Sequence, residues 1–417
     1  MSNISKNKVS KVDIVLWGAT SFVGQLLAAY LWPRYGKTDK IRFALGGRSK
    51  SKLESLHKDL KADDRLSLIV GDAADKDFLD GLTKNTKVVV STVGPYAKYG
   101  SQLVAACAAN GTSYCDLAGE TQWMSRMIDS YQKDAEASGA RIVQPCGFDS
   151  IPSDLGVLFL QNEAQKRFGS PLNQVKLRVK SMRGGLSGGT IASILNFAEE
   201  ARRDPEVVKI ARNPYSLAPE GMRSGVPQHN VSSIEYDKDA GSWVGPFLMG
   251  GVNTSVVHRS NALMNYAWGK TFEYDEAMMM GRGFMGAFRA STLTAGLGAF
   301  LLGALFAPTR FLMNKIFLPQ PGEGPSPKQQ ENGFFNMHLI GKNADGDRLR
   351  VIVTGDRDPG YGSTSKMLGE SAVCLLQDIP KKDLKGGFWT PATAMGQKLM
   401  DRVIANAGLT FNVIEES

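Results

Sequence analysis

A glycine-rich turn between a buried strand and a helix constrains the fold of this chain more than any other feature. Val12–Trp17 is an apolar run typical of a strand buried on both faces, and Phe22–Trp32 carries its apolar residues on one helical stripe. The turn Gly18-Ala19-Thr20-Ser21-Phe22-Val23-Gly24 joins them, with Ser21 at the middle position of a G-x-x-G-x-x-G spacing. Such a turn lets the backbone approach a pyrophosphate and presents helix N–H groups to it. We therefore predict a dinucleotide here, with the Ser21 hydroxyl free to bond a phosphate oxygen. The predicted contacts are Gly18, Thr20, Ser21, Phe22, Val23 and Gly24.

Strands and helices alternate along the rest of the first third of the chain. Further strands are predicted at Ile41–Leu45, Leu66–Val70, Lys87–Val93, Ser113–Leu117 and Arg141–Cys146. Helices are predicted between them at Ser51–Leu60, Asp75–Leu82, Tyr99–Asn110 and Thr121–Ser138. This alternation is typical of an α/β fold with a Rossmann-type, doubly wound parallel sheet. A chain of 417 residues leaves room for a second domain after that sheet.

The end of the second predicted strand indicates which dinucleotide binds. An NAD site usually carries Asp or Glu there, bonded to the ribose 2′-hydroxyl, whereas this chain has Gly47-Arg48-Ser49-Lys50-Ser51-Lys52. Because a guanidinium can pair in bidentate fashion with a 2′-phosphate, we predict NADP(H), read by Arg48 with Ser49 and Lys52 beside it. The alternative is a solvated basic loop. Asp72, after the third strand, is a candidate either to hold the adenine edge or to cap the next helix.

Two later turns end strands on the side of the sheet where ligands of such folds bind. The turn after the fourth strand is predicted to line the nicotinamide ribose through Gly94, Pro95 and Tyr96. The turn after the last of these strands brings Phe148 and Asp149 to the strand end, with Phe148 facing the cofactor. Ser150 then suits the N-cap of the following helix.

Side chains at these strand ends are the candidates for catalysis. Reduction by a nicotinamide cofactor needs a group that positions the acceptor or donates a proton beside it. Tyr96 is a candidate proton donor, Asp149 is a candidate to position the nicotinamide amide or a hydroxyl, and Ser150 lies next to it. For Tyr99, packing beneath the loop is the simpler explanation. A Tyr-x-x-x-Lys match at Tyr266–Lys270 lies far beyond the nucleotide-binding region, and we interpret it as accidental.

Taken together, the motifs resemble those of the saccharopine dehydrogenase-like oxidoreductases, in particular the branch of trans-acting enoyl reductases. The resemblance rests on GATSFVG, GGRSKSKL, STVGPYAKYG, YCDLAGE and, above all, GFDSIPSDLG. It continues in GGLSGGT, GEGPS, GYGSTSKMLGESA and GGFWTPATAMG, and so covers almost the whole chain. Ser21 is a departure, since relatives usually have glycine at that position.

The resemblance implies a Rossmann domain followed by an α+β substrate domain whose C-terminal helix returns to the first domain. We accordingly expect an NAD(P)-binding domain over residues 1–168, a substrate domain over 169–390 and the returning helix over 391–417. The resemblance also implies NADP(H)-dependent reduction of an enoyl or carbonyl group on a lipid or glycolipid-type substrate.

Two other functions stay open at this point. One is a non-catalytic NADP-binding regulator or a scaffold at a membrane or lipid surface. The other is a saccharopine-type amino-acid dehydrogenase, which would need paired cations for the carboxylates of its substrate. Four arginines are available for that role: Arg178, Arg183, Arg202 and Arg203.

Composition narrows the remaining classes of protein. The four cysteines form no C-x-x-C pair and the four histidines are scattered, so we expect neither a metal site nor a disulfide framework. The net charge of +8 is modest, and no nucleic-acid-binding module is evident, so a nucleic-acid partner is not expected. The basic N-terminus lacks the apolar run of a signal peptide, and we expect a cytoplasmic protein.

The second part of the chain combines regular elements with one long irregular region. Gln174–Met182 alternates with Lys176, Arg178 and Lys180 on one side, which predicts a strand with a solvent-facing basic face. Residues 205–261 show little periodicity and many Gly, Pro and Ser, which predicts an extended loop near the active site. Further strands are predicted at Phe272–Met280, Phe334–Ile340 and Arg348–Thr354, and helices at Thr190–Arg203, Ser363–Gln377 and Ala392–Asn406.

A stretch of 20 residues between Arg289 and Arg310 carries no charge. Crossing a bilayer needs about 20 mainly apolar residues, but this stretch includes several hydroxyl residues, glycines and a proline. The residues that follow mix bulky apolar side chains with Arg310 and Lys315. We expect the hydrophobic segment near 290–318 to meet a lipid substrate or to lie peripherally at the inner face of the plasma membrane. A buried core helix, a subunit interface in a homodimer and a membrane span are the alternatives.

Overall fold

Two seven-stranded sheets share one continuous hydrophobic core in the computed structural model. The structure describes residues 11–37, 41–184, 188–305, 309 and 324–414. Within these residues, the first sheet is formed mainly by the N-terminal third of the chain, and the second sheet by the remainder.

The first sheet is entirely parallel. Its strands are β1 (Val12–Trp17), β2 (Phe43–Gly47), β3 (Ser67–Val70), β4 (Thr86–Ser91), β5 (Ser113–Cys115), β6 (Arg141–Val143) and β13 (Gly387–Trp389). The connecting helices are α1 (Phe22–Leu31), α2 (Lys50–Asp59), α3 (Lys76–Lys84), α4 (Tyr96–Tyr99), α5 (Ser101–Asn110) and α6 (Thr121–Ser138). The strand order β13-β6-β5-β4-β1-β2-β3 reverses direction between β1 and β4, which is where such sheets bind ligands. The predicted α/β doubly wound fold is confirmed.

The second sheet is mixed. Its strands are β7 (Gln174–Arg183), β8 (Glu235–Asp237), β9 (Ser242–Pro246), β10 (Glu273–Gly281), β11 (Phe334–Lys342), β12 (Arg348–Gly355) and β14 (Leu409–Ile414). Their order is β14-β12-β11-β7-β10-β9-β8, and β7 and β10 run parallel while the other pairs are antiparallel. The helices of this part are α7 (Ile151–Phe168), α8 (Gly188–Arg203), α9 (Pro205–Arg212), α10 (Gly250–Leu263), α11 (Gly283–Leu305) and α12 (Pro327–Glu331).

The extended loop predicted over residues 205–261 is confined to residues 213–234, which contain no helix or strand. The rest of that range forms α9, β8, β9 and most of α10, so the prediction is wrong there. Helix α10 escaped notice because it is buried on most sides and carries polar residues inside the core, so its sequence has no apolar stripe. Asn253, His258 and Arg259 are all buried within it.

The basic face predicted for β7 is not solvent-facing at Arg178, which is fully buried. Its Nε donates to Asp237 at 2.7 Å, and its guanidinium also pairs with Asp275 at 2.5 Å. Lys176 pairs with Asp239 at 2.6 Å and stays partly exposed. Lys180 is exposed, as predicted, so the solvent-facing basic side of β7 is confirmed there, whereas Lys176 and Arg178 form ion pairs with acidic residues of other segments.

The chain returns to the first domain earlier than predicted. Helix α13 (Thr364–Gln377) packs on α1, where Gly369 lies against Leu27 and Tyr30, and β13 pairs with β6. The chain then continues through α14 (Pro391–Ala394) and α15 (Gly396–Ala407) and ends in β14 of the second sheet. The predicted boundary between the substrate domain and the returning helix lay at residue 390, but α13 and β13 already pack on the first domain before that residue. Similarly, α7 packs on the second sheet, because Gly156 lies against Leu339 and Val353.

Helix α11 lies on the outside of the second sheet. Its Ala290 is fully buried, Leu293 lies against Gly245 of β9, and Ala304 packs with Leu195 of α8. The rest of its surface is largely exposed, so the alternative of a buried core helix is wrong. By length and composition, Gly283–Ala304 is the one helix in the described part of the chain that could cross a membrane. Residues 310–318 of the predicted segment lie outside the described residues.

Candidate active site

The glycine turn has the geometry that a dinucleotide site needs. Gly18 has a φ of +85°, which favours glycine, and its N–H donates to Gly46 O at 3.0 Å. A Cβ on Gly24 would overlap Gly18 O, so α1 packs directly onto the turn. The first-turn N–H groups of a helix have no intrahelical acceptor, and those of Phe22 and Val23 in α1 are available to a pyrophosphate.

Ser21 caps α1 instead of offering a free hydroxyl. Its Oγ accepts the N–H of Gly24 at 2.9 Å and lies 3.0 Å from Thr92 Oγ1. Because Thr92 Oγ1 donates to Gly18 O at 3.0 Å, the Ser21 hydroxyl is the donor to Thr92. Its proton is therefore used within the protein, which corrects the expectation of a hydroxyl free for a phosphate oxygen.

The remaining predicted pyrophosphate contacts surround this turn. Thr20 is half-buried at the turn, and Val23 lines the central cavity. Phe22 is fixed by the C-terminal part of the chain, since its ring lies edge-on to Tyr361 at 4.8 Å between centroids. The glycine turn of the first domain is thus also in contact with the C-terminal part of the chain.

A basic group lies at the carboxyl end of β2, where the 2′-phosphate is expected. Arg48 and Lys52 are exposed, and the Ser49 side chain caps α2 by accepting the N–H of Lys52 at 3.4 Å. These residues fit an anion at the adenosine ribose. Asp72 accepts the N–H of Ala74 at 2.9 Å, whereas α3 is capped by Asp75, so the alternative that Asp72 caps the helix is wrong.

One cavity of about 430 Å³ joins the cofactor loops to the second domain. Its first-domain wall includes Thr92, Gly94 and Phe148, close to the carboxyl ends of the strands. Its opposite wall is mainly apolar and consists of Met182, Ile194, Phe197, Phe247, Leu248, Met249, Val252 and Leu301. Among the described residues that line it, the ionisable acids are Glu120 and Asp149, and there is no Lys or Arg.

Asp149, one of the predicted catalytic residues, lines this cavity. It is half-buried, and it has no hydrogen-bond partner within the described part of the chain. Burial raises the pKa of its carboxyl to about 7. The group can therefore hold a proton near neutral pH, as a general acid requires.

Ser150 lies behind this position and does not line the cavity. It occupies the predicted N-cap position of α7, but its buried hydroxyl donates to Pro145 O at 2.6 Å instead of accepting a hydrogen bond from the first turn of the helix. Its φ of +150° is a sparsely populated conformation for a residue with a side chain. Ser150 thus secures the turn that carries Asp149.

The tyrosines occupy different positions from those expected. The Tyr96 hydroxyl donates to Ser91 O at 3.0 Å and accepts the N–H of Leu117 at 3.1 Å, while its buried ring lines the cavity. Burial raises its pKa well above the usual value. This hydroxyl holds two loops together, which argues against its predicted role as proton donor. Tyr99 is 49% exposed and does not pack beneath the loop.

Sequence reasoning missed Glu120 as a site residue. Its carboxylate accepts the N–H groups of Tyr96 at 2.8 Å and Ala97 at 3.0 Å, and the Ser193 hydroxyl at 2.9 Å. Burial raises its pKa. Glu120 therefore ties the loop that includes Gly94 and Pro95 to α8 across the cavity. Its position just after β5 was a usable signal, because the same strand-end rule selected Asp149.

Gln122 is a second residue that the sequence did not single out. It is almost fully buried and lines the cavity, yet its Nε2 has no acceptor within the described part of the chain. A buried amide without a partner is costly, so it is a candidate to bind a ligand oxygen.

Comparison with known proteins identifies the family. The sequence profile of the saccharopine dehydrogenase NADP binding domain matches residues 14–143. A Mycobacterium tuberculosis protein, provisionally named a trans-acting enoyl reductase, is 38% identical over 410 residues, 96% of each chain. The trans-acting enoyl reductase of Mycobacterium ulcerans is 37% identical over 406 residues, 94% of this chain and 95% of that protein. This chain belongs to the saccharopine dehydrogenase-like oxidoreductases, in the trans-acting enoyl reductase branch.

A solved structure of a saccharopine dehydrogenase has the same fold as this protein. Apo saccharopine dehydrogenase (L-Glu forming) from Saccharomyces cerevisiae aligns with a TM-score of 0.54 at 13% identity. The alignment covers 97% of this chain and all of that one. As a saccharopine dehydrogenase-like oxidoreductase, the protein is an NADP(H)-dependent enzyme, and the predicted family, fold class and cofactor are confirmed.

Proposed function

We propose that this oxidoreductase reduces an enoyl or carbonyl group on a hydrophobic, lipid-type substrate, with Asp149 as the proton donor. The observation that carries the proposal is the lining of the cavity. Apolar side chains such as Phe197 and Phe247 form the wall opposite the cofactor loops, and the carboxyl of Asp149, which has no hydrogen-bond partner in the described chain, lines the same cavity. The names of the mycobacterial relatives favour the enoyl group.

Bound NADPH supplies a hydride to an electrophilic carbon. Thr92, Gly94 and Phe148 line the cavity where the topology directs a nicotinamide ring, at the switch point between β1 and β4. Phe148 is fixed there because its N–H donates to Thr364 Oγ1 at 3.0 Å. These residues would hold the nicotinamide ring beside the apolar part of the cavity.

Asp149 supplies the proton that completes the reduction. The carboxylic acid transfers it to the carbon next to the new C–H bond of an enoyl group, or to the oxygen of a carbonyl. Asp149 is left as a carboxylate and regains a proton from water before the next turnover. Its raised pKa matches this cycle, because both forms are accessible near pH 7.

Gln122 binds the substrate carbonyl in this proposal. The Nε2 amide donates a hydrogen bond to the oxygen conjugated with the double bond, and so withdraws electrons from the carbon that accepts hydride. A donor held in a buried site needs little reorganisation for this task. The proposal thereby accounts for an amide that otherwise has no acceptor among the described residues.

An amino-acid substrate with several carboxylates fits this cavity poorly. Of the four arginines available for such a role, Arg178 is buried in ion pairs with Asp237 and Asp275, and none lines the cavity. Buried carboxylates without cationic partners are strongly unfavourable. We therefore favour reduction of a lipid-type substrate over a saccharopine-type amino-acid dehydrogenase activity.

NADPH consumption with three substrates tests the proposal. These are a long-chain trans-2-enoyl thioester, a long-chain ketone and saccharopine, the last also assayed with NADP⁺ in the oxidative direction. We expect turnover of the enoyl or ketone compound and none of saccharopine. Oxidation of saccharopine would overturn the substrate assignment. NADPH binding without reduction of either lipid would instead support a non-catalytic regulator.

A further inference from the structure

Helix α11 presents an apolar face that no described part of the protein covers. Phe284 is 84% exposed, and Met285, Phe288 and Leu302 are each more than half exposed. Their spacing places Phe284, Phe288 and Leu302 on one stripe of the helix, with small residues between them. Soluble monomers rarely leave such a patch uncovered unless it binds something.

The opposite face of α11 is attached to the protein along its length. Ala290 is buried near the start of the helix against the second sheet, and Ala304 is buried near its end against α8. The partner helix α8 carries charged residues such as Arg202 and Arg203, which could not enter a bilayer core at acceptable cost. This arrangement favours a helix that lies along a membrane surface and excludes one that crosses it.

The charge around the helix selects an anionic surface. From residue 277 to residue 322 the sequence contains no Asp or Glu, but it contains Arg282, Arg289, Arg310 and Lys315. Arg282 and Arg289 are exposed and flank the aromatic end of the stripe. A second copy of the chain docked symmetrically on this face would bring the same cations together, which is unfavourable. Anionic lipid headgroups are complementary to both the charge and the apolar stripe.

The apolar face is continuous with the active-site cavity. Leu301 is 41% exposed on α11, and it also lines the cavity beside Phe197 of α8. Leu302 next to it faces outward. Leu301 thus connects the lining of the cavity to the helix that carries the apolar face.

We propose that α11 lies in the headgroup region of an anionic bilayer, and that the substrate passes from the bilayer into the cavity beside Leu301. The membrane contact stands on the helix alone. The route for the substrate rests on the proposed function.

Vesicle flotation tests the membrane contact. Full-length protein is mixed with phosphatidylglycerol-rich vesicles or with pure phosphatidylcholine vesicles. Variants Phe288→Asp and Leu302→Asp are compared with Ile404→Asp, which places the same charge at an exposed apolar position on α15. We expect the wild type and Ile404→Asp to float with the anionic vesicles, and each α11 variant to lose on the order of tenfold in partitioning. Thermal melting and NADPH binding should be unchanged in all four proteins.

Two results would overturn the membrane contact. One is a wild type that ignores anionic vesicles. The other is a wild-type dimer that Phe288→Asp converts to a monomer in sedimentation without any change in vesicle binding. That second result would assign the face to another copy of the chain.

Kinetics test the substrate route separately. We expect Leu302→Asp to raise KM for an enoyl lipid embedded in anionic vesicles by about tenfold, while kcat/KM for a short, water-soluble enoyl thioester stays unchanged. Equal loss on both substrates, or no loss on either, would refute delivery from the bilayer. If the wild type reduces neither substrate, the proposed function fails, whereas the flotation result still decides the membrane contact.

Discussion

At the scale of single residues, Asp149 carries the most specific expectation. Replacing it by Asn removes the acid but keeps the shape, so kcat should fall by about 10²–10⁴-fold while the Kd for NADPH stays constant. In the wild type, kcat should decline as pH rises through about 7, because burial sets the pKa of this carboxyl there and only the protonated form donates. Steady-state kinetics against pH test both points. The matched control is Asp134→Asn on the exposed side of α6, and an Asp149→Asn enzyme with an unaltered profile would contradict the role.

Arg48 is the residue that should distinguish NADPH from NADH. A charge-assisted hydrogen bond contributes about 1.5–3 kcal/mol, so Arg48→Ala should weaken NADPH binding by roughly ten- to a hundredfold and leave NADH binding unchanged. Fluorescence titration of the reduced cofactors measures both affinities. Lys58→Ala removes a cation near the far end of the same helix and should affect neither. Equal loss for both cofactors in Arg48→Ala would mean that the residue supports the loop and does not read the phosphate.

Residue positions were more predictable than residue partners. Gly18, Arg48 and Asp149 could be selected from sequence because parallel strands bring their carboxyl ends to one edge. The partner of the Ser150 hydroxyl is Pro145 O, and the Tyr96 hydroxyl bonds to Ser91 and Leu117. Those contacts depend on how the loops close in three dimensions, and residue type does not reveal them. The contact of Glu120 with Ser193 of the distant helix α8 could not be predicted for the same reason, although the position of Glu120 after β5 could have been selected from sequence.

At the scale of elements, the close packing of α1 onto its turn can be tested by replacing Gly24 with alanine and comparing the result with the same replacement at Gly81 of α3. Gly24→Ala places a methyl group against Gly18 O, so the helix must shift and NADPH binding should weaken by at least about tenfold, with a stability loss of about 1–3 kcal/mol. Gly81→Ala in α3 meets nothing within 4 Å and should stabilise the protein by about 0.5–1 kcal/mol. Chemical denaturation and cofactor titration measure the two effects. A Gly24→Ala protein that binds NADPH normally would show that the close contact is dispensable.

Elements were predictable where one face is apolar and unpredictable where polar groups are buried. The predicted bounds of β1 and α6 agree at both ends with the structure, because a continuous apolar run and a clear stripe define them. Helix α10 gave no such pattern, since Asn253 donates to Glu276 at 2.8 Å and Ser260 donates to Asp154 inside the core. Its helical character is set by tertiary hydrogen bonds that a local pattern does not encode.

At the scale of the whole molecule, the two domains are interleaved rather than sequential. Strand β13 has only three residues, and its place beside β6 follows from long-range packing of α13 on α1. A short strand of this kind has no sequence signature that would separate it from a loop. Opening the cavity by moving one domain away from the other would therefore require breaking the first sheet at its edge. The route proposed above, which passes Leu301, needs no such separation of the domains.

Buried acids give the whole protein an unusual dependence of stability on pH. Burial raises the pKa to about 7 in four carboxyl groups, which are Asp116, Asp149, Asp154 and Glu276. In the unfolded chain these groups ionise near pH 4, so between about pH 4 and 7 the native state holds more protons and stability falls as pH rises. His258 and His338 oppose this, because burial lowers their pKa values to about 3 and about 4, and the unfolded chain takes up their protons below pH 6.5.

The acids outnumber the histidines, so the net slope is negative. With about two extra protons on the native state near pH 5.5, the free energy of unfolding should fall by roughly 3 kcal/mol per pH unit there. Calorimetry should accordingly show Tm decreasing from pH 5 to pH 7 and levelling off above it. Asp149→Asn removes one of the four acids and should make the decline shallower, whereas Asp134→Asn should not. A Tm that rises over this range would mean that water or a bound ion keeps these carboxylates charged in the native protein.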